Sequence, residues 1–181
     1  MILERVRGLT LGGETHDGEP EADGSGSPKI PVTVVFTSIE GTLAALNAAA
    51  RLSKDLAAQV VVLATEVVSL RYLYQGLSDS MNFYQRLCEA MVKEAQLQDV
   101  AIEVHLCRRQ VDCLEARLRP RSIVLIGARK CWWPWRERQL ERALRGRGFE
   151  ALLVYSRSDQ SRTRSGVVVQ RMLEEARQIS G

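Results

Sequence analysis

No stretch of this 181-residue chain approaches the roughly 20 consecutive apolar residues that a membrane-spanning helix needs. Met1 to Gly13 also lack the unbroken apolar run of a secretory signal, so the expected location is the cytoplasm. Cysteine is scarce: Cys88, Cys107, Cys113 and Cys131 contain no C-x-x-C pair, and without an export signal they are expected to stay reduced. Histidine is scarcer still. His105 is the one histidine inside the folded region and His16 lies in the leader, which leaves too few ligands for a zinc site and no Ser, His and acid arrangement for nucleophilic catalysis. No metal is expected, and no catalytic residue can be named, so the chain is not expected to be an enzyme.

What is present is the composition of a folded domain, 45% hydrophobic and 26% charged, in a chain of single-domain size. A net charge of +3 does not by itself point to a polyanionic partner, but the charges are segregated. Glu14, Asp17, Glu19, Glu21 and Asp23 crowd the N-terminal stretch, whereas Arg108 to Arg147 is rich in arginine. Gly12 to Pro28 carries almost no apolar side chain and cannot offset its ordering entropy. This predicts a disordered acidic leader over residues 1–30, a folded domain over 31–156, and a linker with a C-terminal amphipathic helix over 157–181.

Within the domain, apolar runs alternate with segments of helical period. The expected strands are Pro31 to Phe36, Gln59 to Ala64, Ala101 to Leu106, Ser122 to Gly127 and Phe149 to Tyr155. The expected helices are Glu40 to Ala58 with Ser38 as its cap, Met81 to Gln98, Val111 to Leu118, and Glu137 to Arg145, which ends near Gly146 and Gly148. Five alternations with fully apolar strands predict an α/β fold: a Rossmann-like three-layer sandwich with a parallel sheet covered on both faces.

Two local sequences carry a resemblance. Val34-Val35-Phe36-Thr37-Ser38-Ile39-Glu40-Gly41-Thr42-Leu43-Ala44-Ala45-Leu46 and Ser122-Ile123-Val124-Leu125-Ile126-Gly127-Ala128-Arg129 resemble the first strand and the fourth-strand phosphate loop of the universal stress protein family. The resemblance spans Pro31 to Tyr155. It implies a five-stranded sheet in the order 3-2-1-4-5 and a ligand, if any, outside the carboxyl ends of strands one and four. In ATP-binding members a first-strand Asp and a glycine-rich motif grip the nucleotide. Here the Asp position falls on Thr37; the first glycine is Gly127, the second falls on Lys130, and no Gly-Ser or Gly-Thr follows before Arg145. Bulky Trp132, Trp133 and Pro134 stand where a backbone must approach phosphate closely. The resemblance therefore implies a divergent, non-catalytic regulatory or scaffold module that needs no cofactor. The alternative is an adenine-nucleotide sensor or weak ATPase with a reworked loop, holding ATP or another adenine nucleotide through Thr37, Ser38, Gly127, Arg129 and Lys130.

All three tryptophans lie between Arg129 and Arg136, in an expected loop at the ligand edge. Trp132, Trp133, Trp135 and Arg136 combine contact area with donors, so they are candidates to bind a protein partner. The competing reading is that the rings fold back over an empty crevice. Glu115, Glu137 and Glu141 sit among the arginines at helical spacing, so a charge-laced solvated helix is expected and neither nucleic acid nor membrane is the expected partner. The resemblance adds a homodimer through the last strand, Phe149 to Tyr155, which is apolar enough to pair across an axis.

Overall fold

A computed structural model describes residues 30–56, 58–68, 77–129, 134–156 and 174. The expected leader apart from Ile30, and the linker with its C-terminal helix apart from residue 174, lie outside the described residues.

The chain runs β1 (Pro31–Val35), α1 (Ile39–Leu56), β2 (Gln59–Val67), α2 (Leu77–Glu94), β3 (Ala101–Cys107), α3 (Gln110–Arg117), β4 (Ile123–Ala128), α4 (Trp135–Arg145) and β5 (Glu150–Tyr155). The five strands form one sheet in the order β3-β2-β1-β4-β5, every neighbouring pair parallel. This is the doubly wound topology anticipated from the alternation of strand and helix, in the strand order that the family resemblance implies. The order reverses at β1, so β1 and β4 are adjacent in the sheet but leave it toward different helix layers.

The two-residue period of a strand divides the sheet into two cores. Val32, Val34, Val60, Val62 and Leu125 pack against Ala45, Leu46 and Ala49 of α1 and Leu87, Cys88 and Met91 of α2. On the opposite face Val35, Leu63, Val124, Ile126 and Ala151 meet Leu114 and Leu118, in and after α3, and Leu140 and Leu144 of α4. The largest of these side chains, such as Leu46, Leu114 and Leu144, are fully buried, each contributing about 1.5 to 3 kcal/mol by leaving water. β3 and β5 are the edges, and their patterns are correspondingly more exposed.

Boundaries of β2, α2 and α4 differ from the sequence expectation. β2 continues three residues past Ala64, because Thr65, Glu66 and Val67 pair in register with His105, Leu106 and Cys107 although two of them are polar. α2 starts at Leu77 instead of Met81 and stops at Glu94, where Gln96 takes φ 54° and its N–H turns back to Lys93. α4 starts at Trp135, not Glu137: the carbonyl of Pro134 accepts from the Arg138 N–H at 3.1 Å and closes the first turn. Proline suits that place because its φ is already helical and its missing N–H has no partner to lose. Trp135 thus belongs to a helix and not to a loop. At the other end of α4, Gly148 adopts φ 86° and the Phe149 N–H returns to the Leu144 carbonyl, which points the chain into β5.

Candidate functional site

In a doubly wound sheet the crevice for a ligand opens where the strand order reverses, here between the carboxyl ends of β1 and β4. Thr37, Ser38, Gly127 and Arg129 all converge on that point. Ser38 caps α1: its Oγ accepts from the Gly41 N–H at 3.2 Å and its carbonyl accepts from the Thr42 N–H at 2.7 Å. The Thr37 N–H donates to Thr42 Oγ1 at 3.2 Å, and Thr37 Oγ1 donates to the Gly127 carbonyl oxygen at 2.6 Å. The turn between β1 and α1 is therefore tied across the reversal point to the end of β4.

The tie brings backbone onto backbone. A Cβ added at Gly41 would meet the Gly127 carbonyl oxygen at 2.6 Å, its carbon at 2.8 Å and Thr37 Oγ1 at 2.9 Å. One added at Gly127 would collide with the carbonyl oxygen and carbon of Gly41. Gly127 is thus required for the seating of α1 on β4, a packing role separate from any contact with phosphate.

The electrostatics of the crevice are internal as well. Glu40, in the first turn of α1, lies at the positive end of that helix, the position an anionic ligand would use. Its carboxylate also forms an ion pair with Arg129, which follows β4. The cation proposed from the sequence to hold an anion is matched by a carboxylate of the chain itself. Lys130, Trp132 and Trp133 lie outside the described residues. Trp135 is 63% exposed at the start of α4, and Arg136 beside it is exposed.

Glu40 and Gly41 are the site residues that sequence reasoning missed. The available signal was a glycine inside a helix otherwise built from alanine and leucine, where it costs about 1 kcal/mol relative to alanine unless packing requires it.

Beside the crevice, Phe36 meets Tyr84 of α2 edge to face at 5.4 Å, and Phe83 meets Tyr84 at 5.8 Å. Burial and then the Glu66 carboxylate push the Tyr84 phenol upward. Two thiols meet at the turn from β3 to α3, where Cys107 and Cys113 share a side-chain hydrogen bond. Burial, reinforced by Cys113, pushes Cys107 up to about 12. Burial also raises Cys113, against the opposing pull of that hydrogen bond and of Arg117. Among the described residues no group of three or more His, Cys, Asp and Glu side chains could hold a metal, and no helix is long and apolar enough to cross a membrane.

The fold and crevice define a doubly wound α/β domain with strand order 3-2-1-4-5. Among solved structures the chain is similar to one described as a universal stress protein in complex with cAMP, at 15% identity and a TM-score of 0.48, covering 72% of this chain and 100% of that one. No family model and no curated protein matches the sequence.

Proposed function

We propose that this chain is a non-catalytic, universal stress protein-like regulatory or scaffold module whose nucleotide crevice has become part of its own packing. The observation that carries the reading is the closure between Gly41 and Gly127, locked by the 2.6 Å hydrogen bond from Thr37 Oγ1 to the Gly127 carbonyl. A nucleotide held at this point would have to part α1 from β4 and displace Glu40 from Arg129. Those internal partners are always present at high effective concentration, whereas a ligand must give up its translational freedom to replace them.

Such a module acts through protein contacts. β5 is an edge strand that presents Leu152 and Tyr155, 40% and 43% exposed, in a segment of mostly apolar residues. Unpaired strand edges recruit a further strand, and a second copy of β5 is the partner that the resemblance suggests. The solvent-facing Trp135 and Arg136 at the start of α4 supply a second contact surface, for a different protein.

Isothermal titration of the purified chain with ATP, ADP, AMP and cAMP tests the central claim. The expected result is no binding tighter than about 1 mM for any of them. Micromolar binding lost in a Thr37→Asn variant that keeps its thermal stability overturns it.

A further inference from the structure

At the β3 edge of the sheet, away from the crevice between β1 and β4, the fold brings two cysteines together. Cys107 is the last residue of β3, and Cys113 stands in the first turn of α3. Strand alternation fixes the side on which Cys107 lies. Leu63 packs with Leu114 in the core beneath α3 and α4, so Thr65 and Val67 continue that face of β2. Val67 is level with Cys107 in the parallel register, which puts Cys107 on the same face of β3.

The first residue of α3 turns the helix toward it. Gln110 Nε2 donates to Thr65 Oγ1 at 3.2 Å, and Cys113, three positions further on, lies on the same flank of the helix. Asp112 and Glu115, on the other flank, reach Arg147 instead. The two thiols share a hydrogen bond in which the Cys107 S–H donates toward Cys113 Sγ. Main-chain bonds hold both ends of the pair: the Val68 N–H donates to the Cys107 carbonyl at 2.9 Å, and the Cys113 N–H donates to the Arg109 carbonyl at 3.1 Å. Both side chains are half-buried and open to a small oxidant, whereas Cys88 is fully buried. Burial keeps the two thiols protonated, which slows their reactions but does not oppose a disulfide, because that product carries no charge to desolvate.

We propose that Cys107 and Cys113 form a reversible disulfide that clasps the end of edge strand β3 to the first turn of α3 when the chain meets a hydroperoxide. The Cys113 thiolate attacks one peroxide oxygen and breaks the O–O bond; the sulfur becomes a sulfenic acid, and the other oxygen takes up a proton and leaves, as water when the oxidant is hydrogen peroxide. Cys107 then gives up its proton and attacks the sulfenic sulfur. The S–S bond forms, the S–O bond breaks and a further water departs, so that two electrons have passed from the pair of thiols to the peroxide. Arg117, one turn beyond Cys113 on α3, favours the Cys113 thiolate, which makes Cys113 the attacking sulfur and Cys107 the resolving one. Exchange with a small thiol restores both S–H groups.

The test treats the reduced full chain, freed of reductant, with a small excess of hydrogen peroxide, alkylates it in denaturant and digests it with trypsin. Arg108 and Arg109 lie between the two cysteines, so cleavage puts Cys107 in fragment 94–108 and Cys113 in fragment 110–117. The expected product is these two fragments joined, lighter than their sum by two hydrogens, from a chain that still runs as a monomer on a denaturing gel without reductant. Dithiothreitol is expected to separate them. A C107S chain is expected to stop at the Cys113 sulfenic acid, which dimedone traps about tenfold faster than any adduct forms at Cys107 in C113S. Both thiols recovered free, fragment 110–117 joined to Cys88 or Cys131, a cross-linked dimer on the gel, or equal trapping in the two single variants overturns the proposal.

Discussion

The Thr37 hydroxyl donates a 2.6 Å hydrogen bond to the Gly127 carbonyl, joining positions 90 residues apart at the point where the sheet reverses its strand order. In removing Thr37→Val, the bond is lost and a partly buried carbonyl is left with one partner fewer, at a cost of about 1 kcal/mol. Thr37→Ser keeps the donor and is expected to recover most of that loss. Urea unfolding midpoints at constant slope measure both changes.

Alanine at either glycine of the contact tests the closure more severely. Gly-to-Ala inside a helix ordinarily gains about 1 kcal/mol, but at Gly41 the new methyl meets the Gly127 backbone, so a net loss of about 1 to 2 kcal/mol is expected. Gly127→Ala meets backbone still more closely, and a loss of about 3 kcal/mol is expected. A stabilised Gly41→Ala protein would show that α1 is not seated on β4.

The exposed apolar edge predicts the assembly state. Light scattering after size exclusion is expected to give twice the chain mass for the wild type and a single chain mass for a Leu152→Arg, Tyr155→Lys variant that remains folded by circular dichroism. A wild-type monomer at high concentration removes the edge-pairing part of the proposed function.

Cys88 sets an alkaline limit. Burial, with a smaller contribution from Glu89, pushes its thiol from 9.0 up to about 12, so the folded chain holds a proton that the unfolded chain releases. The sign follows from linkage: this contribution is fully present below pH 9.0 and is lost as pH rises through about 12. Between those values the slope is at most about 1.4 kcal/mol per pH unit. Cys88→Ala, costing about 1 kcal/mol for the small cavity, should flatten the fall in stability across that window in denaturant titrations at fixed pH.

The Cys107 and Cys113 pair is expected to react unequally. Only the thiolate alkylates, and Cys113 has two influences that favour its charged form, whereas the partner thiol reinforces the rise at Cys107. Mass-spectrometric mapping after brief iodoacetamide treatment at mildly alkaline pH should find Cys113 modified before Cys107, and both before buried Cys88.

The alternation of strand and helix, the two-sided burial of the sheet and the strand order expected from the family resemblance were legible in the sequence. Apolar runs and helical periodicity are local signals, and right-handed crossovers leave few topologies that cover a parallel sheet on both faces. The family resemblance placed Thr37, Ser38, Gly127 and Arg129 at the reversal point, and local reasoning gave Ser38 its role as a helix cap. That reasoning fell short where pairing, not composition, sets an element's length: the polar end of β2 is strand because β3 lies beside it.

What occupies the crevice was decided by the tertiary structure alone. Gly41 against Gly127, Thr37 bonded to the Gly127 carbonyl and Glu40 paired with Arg129 all join the first turn of α1 to the end of β4. No pattern within either segment encodes the other, because their meeting depends on how two distant stretches of chain share one edge of a closed core.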